Sequence, residues 1–212
     1  EKCKSFSDPK VIIDMNTISL EDKLDAKNKL EKLNISIIDA PVSGTGAQAK
    51  TKDLVVMSSG NEKIVSECED IFNSFARKSI FVGEFGNGIK FKILANLLVT
   101  VHNTVTAEAL LLGQKVGLDS QKIYEVLNAG AATSVVLDKR MPLMINENYE
   151  PATASMRIFL KDIDVISSFL KDNNLISPTF EAAANLYNQS KTNIPITYDT
   201  AAIFEQLKIN NK

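Results

Sequence analysis

Gly86-Asn87-Gly88-Ile89-Lys90-Phe91-Lys92-Ile93-Leu94-Ala95-Asn96 separates two kinds of sequence in this chain. After its glycines, residues 89–116 contain no proline and no glycine before Gly113. Ile93, Leu94, Leu97, Leu98, Val101, Val105, Ala109 and Leu112 recur there at helical spacing. About 28 residues at 1.5 Å each predict one helix roughly 40 Å long, which Gly117 can close as a left-handed cap.

Upstream of Gly86 the pattern alternates. Short apolar runs at 11–15, 35–40, 54–58 and 80–82 predict four strands. Ser19 with Asp22 resembles a capping box, and Leu20, Leu24, Leu30 and Leu33 mark a loosely helical face after it. Residues 41–52 predict a loop with Gly44 and Gly46. Asn61 is placed to cap one helix with Ile64, Val65, Cys68, Ile71, Phe72 and Phe75 on its face. Strands alternating with helices predict an α/β layer with partly parallel pairing. Downstream, helices are predicted at 120–128, 134–145, 159–172, 179–189 and 198–207, with no rival strand after Gly83.

Composition narrows the function classes. Of 212 residues, 44% are hydrophobic and 24% charged, which is ordinary globular usage. Twenty-four Lys+Arg against 26 Asp+Glu give a net charge of −2, so no nucleic-acid footprint is present. Apolar runs are broken by polar residues within about ten positions, short of a membrane span. With Cys3, Cys68 and a single histidine, no disulfide framework, zinc site or other metal site is expected. Cys68 reads as a small core residue and His102 as a core or interface histidine. Nothing at the start resembles a signal peptide, and a cytoplasmic location is expected.

Four short segments carry possible chemistry. Before the long helix, the glycines would let backbone N–H groups approach an anionic or polar ligand. Lys92 and Asn96 are four apart on one face, an ammonium beside an amide. Equally, this is a helix start with a solvated Lys and Asn. Asp39-Ala40-Pro41-Val42-Ser43-Gly44 closes a strand, and ligands of open α/β sheets bind at such carboxyl ends. Ordinary turn chemistry accounts for the same residues. Thr17, in Asp14-Met15-Asn16-Thr17, can touch a ligand at the same edge or act only as a cap. Lys161-Asp162 lies in an amphipathic helix, where a solvated pair is the plain reading.

Taken in order, these segments resemble the β-hydroxyacid dehydrogenase family. Its D-x-S-T-I, D-A-P-V-S-G, G-x-G-x-x-x-K-x-x-N-N and K-D motifs match residues 14–18, 39–44, 86–96 and 161–162. Residues 107–119 also resemble the end of the family's long helix, and Asp199-Thr200-Ala201 a segment near its C-terminus. The resemblance implies an α/β partial Rossmann domain over 1–85. An all-α domain over 86–212 would follow, joined through one long helix. It implies hydride transfer between NAD or NADP and a small β-hydroxy acid or its semialdehyde. Lys92 would be the general acid/base. Ser43, Gly44, Thr45 and Asn96 would bind substrate, and Thr17, Lys161 and Asp162 the cofactor. A homodimer or higher homo-oligomer is implied, with no nucleic-acid or membrane partner.

The chain departs from the family pattern in places. Ala95 stands where the family has Asn or His, Thr45 replaces a glycine, and Gln48 and Lys52 replace loop glycines. The dinucleotide fingerprint G-x-G-x-x-G occurs nowhere in the chain. The expectation is therefore the last part of a Rossmann domain plus the helical domain, with roughly a hundred residues of that fold missing. A catalytically silent dimerisation module is the alternative.

Overall fold

The computed structural model describes residues 10–212, without the side chain of Ala47. Cys3 lies outside the described residues. The chain divides into two compact units, Glu1–Ala95 and Asn96–Lys212.

The first unit is α/β. Strand β1 (Lys10–Asp14) is followed by α1 (Leu20–Glu31), β2 (Ile35–Asp39), β3 (Val42–Ser43) and α2 (Gly46–Lys50). Then come β4 (Leu54–Ser58), α3 (Glu62–Glu67), α4 (Glu69–Phe75) and β5 (Ala76–Phe81). β1 and β2 pair in parallel, with Asp14 opposite Asp39. β4 pairs in parallel with β5 and antiparallel with β3. Asp39 and Ser59 form an antiparallel bridge that links the ends of β2 and β4. Ile38, Val56, Val65, Cys68 and Phe72 make a core between strands and helices. Burial pushes the Cys68 thiol up, with the Glu67 charge adding to it, as suits an inert packing residue.

Several expectations shift. The segment 41–52 holds β3 and α2 rather than a plain loop, and β5 starts at Ala76. The helix expected after Asn61 is broken into α3 and α4 at Cys68, although Asn61 caps it as expected by accepting from the Ile64 N–H. In α1, Ser19 caps Asp22, but the buried face is not the leucine face. Leu24 and Leu33 are exposed, and the fully buried side chain is Lys23.

Helix α5 (Asn87–Lys115) is the long helix, and Gly117 beyond it has φ +82° as a left-handed terminator. Its buried stripe is Ile89, Ile93, Asn96, Thr100, Asn103, Ala107 and Leu110. Leu94, Leu98, Val105 and Leu112, which belong to the expected apolar face, are 45–66% exposed. By length and composition α5 would reach across a bilayer, with mean hydropathy 1.2 over 18 residues, which the run-length reading missed. Buried, hydrogen-bonded Asn and Thr side chains mark it as a core helix.

The second unit is helical: α6 (Ser120–Ala129), α7 (Val135–Ile145), α8 (Met156–Asp172), α9 (Pro178–Ser190), a 3-10 turn (Thr200–Ala202) and α10 (Ile203–Asn210). Two polar clusters hold it. Asn103 Nδ2 donates to the Tyr187 hydroxyl (2.6 Å) and to the Thr200 carbonyl (3.0 Å). Arg140 Nη1 lies 2.8 Å from both carboxylate oxygens of Asp199, which also accept the Thr153, Ala154 and Ala201 N–H groups. Asp199, singled out in sequence, is thus the buried anchor of the C-terminal turn.

Lys52 ends α2 at φ +57°. Its N–H reaches Ala49 O, and the Asp53 N–H reaches Gln48 O, a left-handed helix termination that favours glycine. Lys52→Gly is expected to stabilise the α/β unit by about 1 kcal/mol, read as a higher urea midpoint at unchanged m.

Candidate functional site

Gly86, with φ +93°, precedes α5 and has no side chain with which to cap it. The first four N–H groups of the helix are nevertheless all satisfied. Asn87 N–H donates to Glu84 O and Lys90 N–H to Gly86 O. Gly88 N–H donates to Ser59 Oγ at 2.9 Å, and Ile89 N–H to Asp39 Oδ2 at 2.8 Å. The anion expected at this helix start is therefore the protein's own Asp39, and no external ligand is needed there. A Cβ on Gly88 would lie 2.7–2.8 Å from Met57 O, Asp39 O and Asp39 Oδ2. Only glycine lets the helix abut these strand ends.

Asp39 is one corner of a buried ionic group. Lys23 Nζ lies 2.8 Å from Asp39 Oδ1 and 2.8 Å from Asp14 Oδ2. Asp14 Oδ1 accepts the Asn16 backbone N–H (3.0 Å) and its Nδ2 (2.8 Å), which fixes the turn leading to Thr17. Ala40 N–H donates to Asp14 O, and Ser59 Oγ to Asp39 O. Burial pushes the Asp14 carboxyl up, but the hydrogen bonds from Lys23 and Asn16 outweigh it and hold the group below its ordinary value.

The expected site residues fall out as follows. Thr17 is half-buried in the turn after β1. Ser43 ends β3, opposite Val55 of β4. Gly44 has φ +124°, and a Cβ there would strike the Leu54 side chain at 2.5 Å, so its glycine is required by the turn itself. Thr45 is occupied locally: its N–H donates to Gln48 Oε1 at 3.0 Å. Lys92, half-buried, lies one turn beyond Gly88 on the same face of α5. In the helical unit Asn96 Nδ2 donates to Asp162 Oδ2 at 2.9 Å, and Lys161 Nζ is 2.7 Å from Asp162 Oδ1. These three expected residues are brought together. Asp162, acceptor-only when ionised, also sets which end of the Asn96 amide faces it. A groove of about 260 Å³ between α5, α9 and α10 is lined by none of these residues. Among the described residues no His, Cys, Asp and Glu cluster could hold a metal.

Lys23 and Ser59 were not anticipated. Both Ile12-Ile13-Asp14 and Ile37-Ile38-Asp39 end in Asp, but only the pairing of β1 with β2 puts the two carboxylates side by side and calls for a cation between them.

The chain thus combines a mixed-sheet α/β unit, a long helix and an all-helical unit. Residues 86–207 match the family described as NAD-binding of NADP-dependent 3-hydroxyisobutyrate dehydrogenase, and residues 3–83 the NAD binding domain of 6-phosphogluconate dehydrogenase. The chain belongs to the β-hydroxyacid dehydrogenase family, whose cofactor is NAD or NADP. It is 31% identical over 165 residues to L-threonate dehydrogenase of Cupriavidus necator, covering 77% of this chain and 55% of that protein. It is 26% identical over 201 residues to glyoxylate/succinic semialdehyde reductase 1 of Arabidopsis thaliana, covering 94% and 69%. The crystal structure of 3-hydroxyisobutyrate dehydrogenase from Salmonella typhimurium superposes with a TM-score of 0.85 at 26% identity, covering 92% and 68%. The chain thus spans little more than half the length of the first relative.

The carboxyl end of β1 passes into the Asn16-Thr17 turn, which Asp14 holds through the Asn16 N–H. The pyrophosphate-holding glycine loop is not among the 212 residues.

Lys23→Met is expected to cost about 3–5 kcal/mol in denaturant unfolding, because it leaves two carboxylates buried side by side. The contribution of Asp14 is fully present above its ordinary value of 3.8 and is lost as pH falls through its depressed folded value. Acid titration of the unfolding midpoint in Asp14→Asn should therefore lack that part of the wild-type decline.

Proposed function

We propose that this chain carries the acid/base and substrate-carboxylate residues of an NAD(P)-dependent dehydrogenase of small β-hydroxy acids. One observation supports the reading above the others. The start of α5 is capped by Asp39 and Ser59 at the carboxyl ends of β2 and β4, so Lys92 follows one turn from the edge at which such sheets bind ligands.

The bound dinucleotide supplies hydride acceptance and donation. In oxidation, Lys92 as the free amine takes the proton of the substrate hydroxyl and becomes an ammonium; in reduction it returns that proton to the carbonyl oxygen. Ser43 Oγ, at the strand end before Gly44, donates to the substrate carboxylate. Thr17 borders the nicotinamide side of the same edge. Thr45 acts through the loop it caps. Within the helical unit, Asp162 holds the Asn96 amide and pairs with Lys161; the family motif assigns Asn96 to the substrate and Lys161 with Asp162 to the cofactor.

The exposed stripe Leu94, Leu98, Val105 and Leu112 supports association with a second copy of the chain.

Lys92→Ala is expected to lower turnover of a 3-hydroxy acid with NAD(P) by about 10²–10⁴-fold while dinucleotide affinity stays unchanged. Titration of the chain with NAD(H) and NADP(H) checks the premise: micromolar binding supports the enzyme, and none up to millimolar supports a silent association module.

A further inference from the structure

We propose that Asp39, clamped by Lys23, is the positioning residue that sets the place of Lys92. This inference rests on the acid/base reading of Lys92 given above.

The argument begins with a helix that has no cap of its own. Gly86 offers no side chain, and the second and third N–H groups of α5 are taken by Ser59 and Asp39 from two different strand ends. These are tertiary contacts, so they fix where the helix begins relative to the sheet as well as satisfying its donors. Gly88 closes the remaining freedom. Its α-carbon approaches strand-end oxygens so closely that a single Cβ would meet them at 2.7–2.8 Å. Lys92 lies four residues on, on the same face, and inherits that placement.

Asp39 is itself immobilised. One carboxylate oxygen holds the Ile89 N–H, and the other is bonded to Lys23. Lys23 is fully buried, and its second bond is to Asp14, which holds the Asn16 turn. One ammonium thus joins the turn bearing Thr17, the strand end that leads into Pro41-Val42-Ser43, and the helix bearing Lys92. Acid/base catalysis requires its groups within about half an ångström of the productive geometry. A buried ionic group is a poor source of stability compared with apolar packing, but it specifies one register. Here the register specified is that of three site segments.

The test uses the full chain as wild type, Asp39→Asn and Ser59→Ala. The amide variant keeps the shape and an acceptor for Ile89 but removes the ion pair to Lys23. The readout is the pH profile of amine acylation at Lys92 by a small water-soluble ester, followed by peptide mass spectrometry. Lys29, exposed and paired with Asp25 in its own helix, serves as the internal control. Loss of one charge-assisted bond should raise local opening, and with it Lys92 labelling, by about tenfold in Asp39→Asn. The midpoint of the profile should move, Ser59→Ala should give a smaller change in the same direction, and Lys29 should not respond. A cooperatively unfolding Asp39→Asn with an unaltered Lys92 profile would overturn the proposal. If that variant does not fold, an unaltered profile in folded Ser59→Ala overturns it instead. Failure of the underlying reading shows separately, as turnover retained in Lys92→Ala whatever the labelling gives.

Discussion

One buried ammonium organises the carboxyl edge of the α/β unit. Lys23 stands between Asp14 and Asp39, which face each other at the ends of two parallel strands. The group would carry one uncompensated negative charge in a buried site, which costs several kcal/mol. The structure supplies the balance from the backbone. The N-terminus of a long helix carries roughly half a positive charge, and α5 places that end on Asp39 through the Ile89 N–H. Asn16 adds two further donors to Asp14. Neither the strand pair nor the helix start is therefore independent of the other. Moving α5 away would expose the second carboxylate's deficit, and removing Lys23 would leave like charges in contact.

The same helix shows a second constraint further along. Beside Ile89, Ile93 and Leu110 its buried stripe carries Asn, Thr and Ala, and its exposed side carries Leu and Val beside charged residues. That departs from a simple amphipathic pattern. Small and hydroxyl-bearing residues allow close approach, and the hydroxyls of Thr100 and Thr104 are satisfied by the helix's own carbonyls. Asn103 then reaches Tyr187 and the Thr200 carbonyl, tying α9 and the C-terminal turn to α5.

Much of the fold was legible because strands and helices here follow their ordinary periods. β1, β2 and β4 lie where the apolar runs place them, and every helix of the second unit was foreseen. What escaped was whatever depended on partners distant in sequence. Leu24 and Leu33 looked like the inner face of α1, because hydrophobic spacing says nothing about a lysine required by two aspartates from other strands. The helix after Asn61 was read as continuous, because nothing in the spacing of Val65, Cys68 and Phe72 marks the break at Cys68. Of the candidate site, the residue types and their order could be read, and so could the Lys161-Asp162 pair. That Asn96 would meet Asp162, or that Asp39 would cap a helix fifty residues on, is a property of the folded chain alone.

The departures around Ser43 acquire a physical meaning from the same reasoning. Where glycines would leave backbone N–H groups open, this chain has side chains that close the loop on itself. Gln48 accepts from the Thr45 N–H and donates to Asp53, which in turn is paired with Arg77. The Lys52 backbone accepts a left-handed conformation to complete the turn. Gly44 alone keeps its freedom, since Leu54 fills the place of a Cβ. A turn that has spent the Thr45 N–H internally has one fewer donor for a carboxylate. On the proposed reading, recognition of an acid would then fall to Ser43, followed by a segment that Gln48 and Asp53 make rigid.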